Sequence, residues 1–264
     1  MRTMAVHDLH IISWGRMDYL PALERMRQRH ADRVADRVAD ALICVEHPPT
    51  FTLGKHGQRE NVLLSDAELA VAGFDLHWVE RGGDVTYHGP GQAVVYPVVD
   101  LRSRGLGVRA LVEAVQEACL ATAAAFGVAA EQDPERPGAW VAGCKLAAIG
   151  LAVPEKVTMH GLAFNVSTRL EDFDYIRACG LDAHPTSLEL ELGRPVEILE
   201  YDNLGTWLGS RAAAAAAVND RVDAVVGASW SEHSLAMAPV LQEAGIPMIT
   251  PISTNPQVTE VGDY

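Results

Sequence analysis

A chain of 264 residues, 48% apolar and 21% charged with a mean hydropathy of +0.05, can bury a real core and is not a disordered tail. Its 21 Lys and Arg against 35 Asp and Glu give a net charge of −14, which argues against a general nucleic-acid binder, although Arg25, Arg27, Arg29, Arg33 and Arg37 cluster locally. No membrane span or signal-peptide core is legible, and the four scattered cysteines (Cys44, Cys119, Cys144, Cys179) suit neither a disulfide framework nor a zinc site; the expectation is a soluble, cytoplasmic protein.

Residues 9–14 read as an opening strand, and residues 19 to about 38 as a helix with Leu20, Leu23 and Met26 on its apolar face. Residues 41–45 predict a buried strand stopped by His47-Pro48-Pro49, and residues 50–53 a second extended piece running into a loop over 54–59. Strands at 76–79 and 93–99 flank a long glycine-rich connection. Leu111, Val115, Ala118 and Thr122 recur at helical spacing over 108–126, and Gly127 ends that helix. Three strands follow at 139–141, 146–153 and 157–166, then short turns over 172–186, and Pro195 opens a final helix toward Leu208. This order predicts an α/β or α+β fold with a mixed sheet and flanking helices. Near residue 210 the character changes: a six-alanine run (212–217) precedes a strand–helix–strand unit at 222–227, 232–244 and 246–249.

The densest chemical signal is Arg81-Gly82-Gly83-Asp84-Val85-Thr86-Tyr87-His88-Gly89-Pro90-Gly91-Gln92. Its glycines let backbone approach a ligand, while Arg81, Thr86, Tyr87 and His88 add donors and an aromatic wall. It is not a phosphate-cradling motif, and a plain tight hairpin turn remains the alternative. Lys145, one of three lysines against 18 arginines, sits in the apolar run Cys144-Lys145-Leu146-Ala147-Ala148-Ile149-Gly150. Burial would make it a usable base; an edge-strand lysine reaching for water is the alternative. Cys179, in Arg177-Ala178-Cys179-Gly180-Leu181, has the turn setting of a nucleophile or of a small filler. Cys44 and Cys119 read as small hydrophobes. A Cys179–His160–Asn165 triad is disfavoured, because residues five apart on one strand point to opposite faces.

Together these residues resemble the octanoyltransferases of lipoate biosynthesis. Residues 81–92 are similar to the family's RGGxxTYHGPGQ signature, Lys145 falls at its catalytic lysine, 160–166 resembles its HGxxxNV strand, and Cys179-Gly180 its nucleophile turn. Glu46-His47-Pro48-Pro49-Thr50-Phe51-Thr52-Leu53-Gly54 and Trp14-Gly15 fit as well, so the likeness spans about residues 9–208. It implies the mixed-sheet fold shared with biotin and lipoate ligases. It also implies an acyltransferase without metal or cofactor: Cys179 takes an octanoyl group from octanoyl-acyl carrier protein as a thioester and passes it to a lysine of a lipoyl domain. The acceptors implied are 2-oxoacid dehydrogenase complexes and the glycine cleavage H protein, with no nucleic acid and no membrane. Lys145 is implied as the proton shuttle. Arg81, Gly82, Gly83, Asp84, Val85, Thr86, Tyr87, His88, Ala148, Ile149, Gly150, Gly161, Leu162 and Ala163 are implied as the lining of the acyl and pantetheine tunnel, where burial contributes about 0.8 kcal/mol per methylene.

Two departures stand out. Ala178 occupies a position where the family usually has Pro. Residues 211–264 resemble part of the first lobe of periplasmic branched-chain amino-acid receptors, and are expected to be a poorly ordered or opportunistically packed passenger without binding activity. The competing expectations are an ATP-using lipoate or biotin ligase, an amino-acid-sensing module in the last 54 residues, and an inactive fusion.

Overall fold

A computed structural model describes residues 9–177, 184–196, 199, 201–228, 231–250, 255–258 and 260–261. Strand β1 (Leu9–Arg16) buries Leu9 and Trp14, in two different core clusters, while His10 and Ile11 stay exposed. It pairs in parallel with β2 (Asp40–Glu46) across helix α1 (Tyr19–Val34). The helix buries Tyr19, Ala22, Leu23, Met26, His30 and Arg33, an i, i+3, i+4 stripe. Leu20 belongs to the outer face and is 50% exposed, contrary to the expected stripe. The helix also stops four residues short of Val38, because Arg33 is anchored to Asp40 and Asp36 turns the chain at φ +56°.

β6 (Gln92–Val98), β9 (Met159–Asn165), β8 (Cys144–Ala152) and β7 (Gly138–Val141) complete a six-stranded sheet in the order β1-β2-β6-β9-β8-β7, antiparallel beyond β2. On β9, Ala163 joins the core beneath α1, and its neighbour Phe164 joins the core beneath α4 (Val108–Ala125). Successive strand residues face opposite ways, so the two helices cover opposite faces of the sheet. α4 buries Leu111, Gln116, Cys119 and Ala123. The expected stripe through Val115, Ala118 and Thr122 is half-buried, rotated by about one residue. Burial pushes the Cys119 thiol up to about 12, so it is an inert filler as expected.

A second, three-stranded sheet has the order β4-β3-β5: β3 (Thr50–Leu53), β4 (Asp75–Trp78) after helix α2 (Asp66–Ala72), and β5 (Val85–His88). β5 lies inside the stretch expected to be a connection. Phe51, Leu53, Val85 and Tyr87 form its core with Val62, Leu69 and Ile176. The arginine-rich stretch is not a basic patch. Arg27 grips Glu80 through two bonds of 2.9 Å, Arg33 pairs with Asp40 at 2.6 Å, Arg37 with Asp32 at 2.5 Å, and Arg25 lies over the Trp14 ring. Asp40, wholly buried, also accepts from Arg104 Nε at 2.5 Å and from the Asp100 amide at 2.9 Å. It thereby ties α1, β2 and the short helix α3 (Leu101–Arg104) together.

No helix opens at Pro195. Helix α5 (Leu188–Leu192) ends at Gly193, and the described residues from 195 to 206 are not helical. Helix α6 (Trp207–Asp220) starts where Thr206 accepts the Gly209 amide, and it runs through the expected boundary at 210. Beyond it β10 (Val225–Val226), α7 (Ser231–Ala244) and β11 (Met248–Ile249) form the expected parallel strand–helix–strand unit, with strands of only two residues. Ala214, Ala217, Met237, Leu241 and Ile246 close a small core there, and Tyr201 packs on it.

Candidate active site

The glycine loop at residues 81–84 is clamped between the two sheets. The amides of Gly54, Lys55 and His56 donate to the carbonyls of Asp84, Arg81 and Gly83 at 2.9, 3.0 and 3.1 Å, and the Gly82 amide donates to the Leu151 carbonyl of β8 at 2.9 Å. Arg81 is 7% exposed, and its guanidinium reaches back to Thr52, donating Nη2 to the carbonyl at 2.7 Å and to Oγ1 at 2.9 Å. Asp84 accepts from Asn61 Nδ2 at 2.6 Å. Val85 and Tyr87 point into the small sheet's core, where the Tyr87 hydroxyl donates to Asp172 at 2.7 Å; Thr86 is half-buried.

On the large sheet, β8 and β9 set Ala148 opposite Ala163, Ile149 opposite Leu162, and Gly150 opposite Gly161. Added as a methyl, a Gly150 Cβ would lie 3.1 Å from Arg81 Cδ and 3.3 Å from the Gly82 carbonyl, so the glycine loop rests on this pair of strands. The three groups predicted as tunnel lining therefore converge. His88 closes the same region from β5: its Nδ1 meets Gln92 Oε1 at 2.9 Å, while Gln92 Nε2 donates to Asn165 Oδ1 at 3.0 Å and Asn165 Nδ2 donates to the Thr186 carbonyl at 3.0 Å. Since Gln92 Oε1 accepts, His88 carries its proton on Nδ1. Burial pulls the His88 imidazole down to about 3, so it is neutral at working pH.

Lys145 opens β8. Its amide donates to the His184 carbonyl at 2.8 Å, and its carbonyl accepts from Thr186 at 3.0 Å, pinning the chain that follows residue 183 alongside β8. Cys179 lies outside the described residues. The chain leading to it is held as well, by Arg177 donating to the Asn61 carbonyl at 2.8 Å. Asn165 serves Gln92 and Thr186, whereas His160 adjoins Tyr96 and Glu80, so the two do not act as a pair. His160 adopts φ +57° within β9, and its amide donates to Met26 Sδ at 3.2 Å. His160 and the Arg27 guanidinium hold the Glu80 carboxyl well below the usual carboxylate range. Sequence reasoning missed Thr52, Asn61 and Trp140, none of which stands in the motif it supports. Among the described residues, no group of three or more His, Cys, Asp or Glu is placed to hold a metal ion, and no helix is long and apolar enough to cross a membrane.

The glycine loop docks on a pair of strands bearing small residues, one of which carries Lys145 near its start; the lipoyl protein ligase A/B catalytic domain model matches residues 18–204, so the chain belongs to that class of catalytic domain. Within that class the chain belongs to the octanoyltransferase family of acyltransferases. The octanoyltransferase of Acidobacterium capsulatum is 46% identical over 202 residues, covering 70% of this chain and 80% of the relative. That of Alkaliphilus metalliredigens is 42% identical, covering 72% and 88%. A structure from T. acidophilum described as a lipoate protein ligase with bound lipoic acid superposes with a TM-score of 0.56 at 13% identity, covering 96% of this chain and 92% of its own. Lipoate-protein ligase A bound with ATP gives 0.52 at 14%, covering 97% and 92%. Likeness at that identity shows the fold alone. A periplasmic binding protein model matches residues 189–263, overlapping the catalytic match at its start.

Proposed function

We propose that this cytoplasmic chain moves an octanoyl group from octanoyl-acyl carrier protein to a lysine of lipoyl domains, in 2-oxoacid dehydrogenase complexes and the glycine cleavage H protein. The Cys179 thiolate attacks the thioester carbonyl. A new carbon–sulfur bond forms as the bond to the carrier's thiol breaks, and the leaving thiolate takes a proton from the Lys145 ammonium. The neutral amine of the acceptor lysine then attacks the Cys179 thioester. The carbon–nitrogen bond forms, the Cys179 thiolate leaves, and the surplus amine proton returns to Lys145. Both partners end as they began, which is the requirement on a shuttle.

Arg81, Gly82, Gly83, Asp84, Val85, Thr86, Tyr87 and His88 serve this reading as one wall of the acyl site, most through backbone, since the side chains of Val85 and Tyr87 belong to the small core. Ala148, Ile149, Gly150, Gly161, Leu162 and Ala163 serve as the other, where the Gly150–Gly161 pair keeps the strands free of side chains beside the loop. The observation that carries the reading is the convergence of the clamped loop, the Gly150–Gly161 pair and the pinned start of β8. We read residues 211–264 as adding no activity of their own, since their sheet has two strands of two residues each.

The test is intact-protein mass after incubation with octanoyl-acyl carrier protein without ATP. One octanoyl adduct is expected, removed by hydroxylamine and absent in Cys179→Ser. An adduct that survives hydroxylamine, or transfer that needs ATP and tolerates Cys179→Ser, would replace this reading with ligase chemistry.

A further inference from the structure

Trp140 is 1% exposed and carries two cations on its ring: the Arg136 guanidinium carbon lies 4.0 Å from the centroid and Lys145 Nζ 4.6 Å. An irregularity in the sheet makes this arrangement. From Gly138 opposite Ala148 and Ala139 opposite Ala147, a regular antiparallel ladder would set Trp140 against Leu146. The register slips there instead, and Trp140 pairs with Lys145. A bulge of this kind re-aims side chains, because a slip of one residue exchanges the faces of a strand. What would have been a ring beside a core leucine is a ring beneath an ammonium.

The indole is also held from several directions. Its Nε1 donates to the Arg136 carbonyl at 3.0 Å, and its backbone exchanges hydrogen bonds of 2.7 and 2.9 Å with Glu131. Arg136 is itself locked, donating Nε to Asp133 Oδ2 at 2.5 Å, while Asp133 Oδ1 accepts the amides of Glu135 and Arg136 at 2.9 and 3.1 Å. A ring fixed this firmly presents one direction to Lys145.

We propose that Trp140 is a positioning residue for Lys145: it fixes the line of the ammonium and favours its charged form, while Arg136, drawing on the same ring, limits how strongly. The proposal rests on Lys145 being the proton carrier of the acyl transfer. A cation over an aromatic face is attracted by the ring's quadrupole. For a shielded pair the attraction corresponds to about 0.4–1.5 pH units in the titration of the amine. A second cation on the ring repels the first, so Arg136 works in the opposite sense. Among the described residues, the other ionisable groups on elements around Lys145 include Asp133 and Glu131 beside Trp140, Cys144 next to it on β8, and His184 and Glu191 on the segment pinned to β8, and the proposed reaction adds the Cys179 thiol.

The chain has three lysines, so lysine labelled with carbon-13 at Cε gives three signals in the full-length protein, that of Lys145 being the one lost in Lys145→Gln. In Trp140→Leu the Lys145 midpoint is expected to fall by about 0.4–1.5 pH units and its ring-current shift to vanish. Trp140→Phe restores more than half of the midpoint, and Arg136→Gln moves it upward. The basic limb of the octanoyl-transfer pH profile moves with the midpoint in each variant, with KM unchanged. A wild-type midpoint in folded Trp140→Leu overturns the proposal. Should that variant fail to fold, unchanged midpoints in both Trp140→Phe and Arg136→Gln overturn it equally. Transfer at the wild-type rate in Lys145→Gln instead overturns the proton-carrier role, whatever the lysine titration reads.

Discussion

Gly150 and Gly161 face each other across two strands, yet a methyl group has a different meaning at each. At Gly161 a Cβ would stand 2.0 Å from the Val95 carbonyl oxygen of β6, a backbone atom in a paired strand that cannot step aside. At Gly150 it would meet Arg81 Cδ at 3.1 Å and the Gly82 carbonyl at 3.3 Å, contacts that a shift of a few tenths of an ångström relieves. Gly161→Ala is therefore expected to lose about 3 kcal/mol or more in urea unfolding. Gly150→Ala should stay within about 1 kcal/mol of the parent while narrowing the proposed acyl site. It should transfer octanoyl groups more slowly and favour shorter chains, as comparison of hexanoyl and octanoyl donors would read. Equal stability of the two variants would contradict this account. Neither effect is visible in the motifs, which mark both positions only as glycine: what separates them is which neighbour a third strand brings near. His160 illustrates the same limit, since its φ of +57° departs from the extended backbone that a strand position implies.

Among the elements, α1, β2 and α3 meet at one carboxylate. Asp40 is buried with Arg33 and Arg104 on its two oxygens. Removing the charge takes the buried carboxylate from both guanidinium groups and leaves Arg33 with Asp36 and Asp100; breaking a buried pair costs about 3–5 kcal/mol, and Asp40→Asn should show a loss of that order in its urea midpoint. The strongly periodic elements were legible: α1, α4 and the final strand–helix–strand unit needed only hydrophobic spacing. β5 was not, because four residues between glycine-rich turns carry too little alternation to stand out. The helix expected from Pro195 failed for a related reason. Proline suits a first turn but does not supply a cap, and the cap that nucleates the real helix is Thr206. The pairing of Trp140 with Lys145 depends on a bulge, which no propensity encodes.

For the whole molecule, the buried histidines make stability depend on acid. Burial pulls His47 down to about 4 and His88 down to about 3, and it lowers His160 as well. The unfolded chain binds those protons near pH 6.5 and the native fold does not, so stability is complete above that pH and drains away as pH falls toward 4 and 3. Unfolding at pH 5 should take up about two protons through His47 and His88, and urea midpoints should fall between pH 7 and pH 5. A flat dependence would mean these imidazoles are charged in the fold. The family was readable from the chain alone because its motifs lie in order over most of it. The link between the small and large sheets was not, since it is made by backbone amides and carbonyls and not by side chains.

That link gives one segment a fixed span. The chain is fastened at Arg177 to Asn61, beside the small sheet, and again at His184 to Lys145 on the large one. Six residues join those two fastenings, and the proposed nucleophile is the second of them. Between two such moorings, length acts as a gauge. Adding or dropping a residue there would leave both sheets with the same partners, yet it would change how many bonds separate the sulfur from each mooring. On the proposed mechanism, the number of residues in that segment matters as much as the identity of its cysteine.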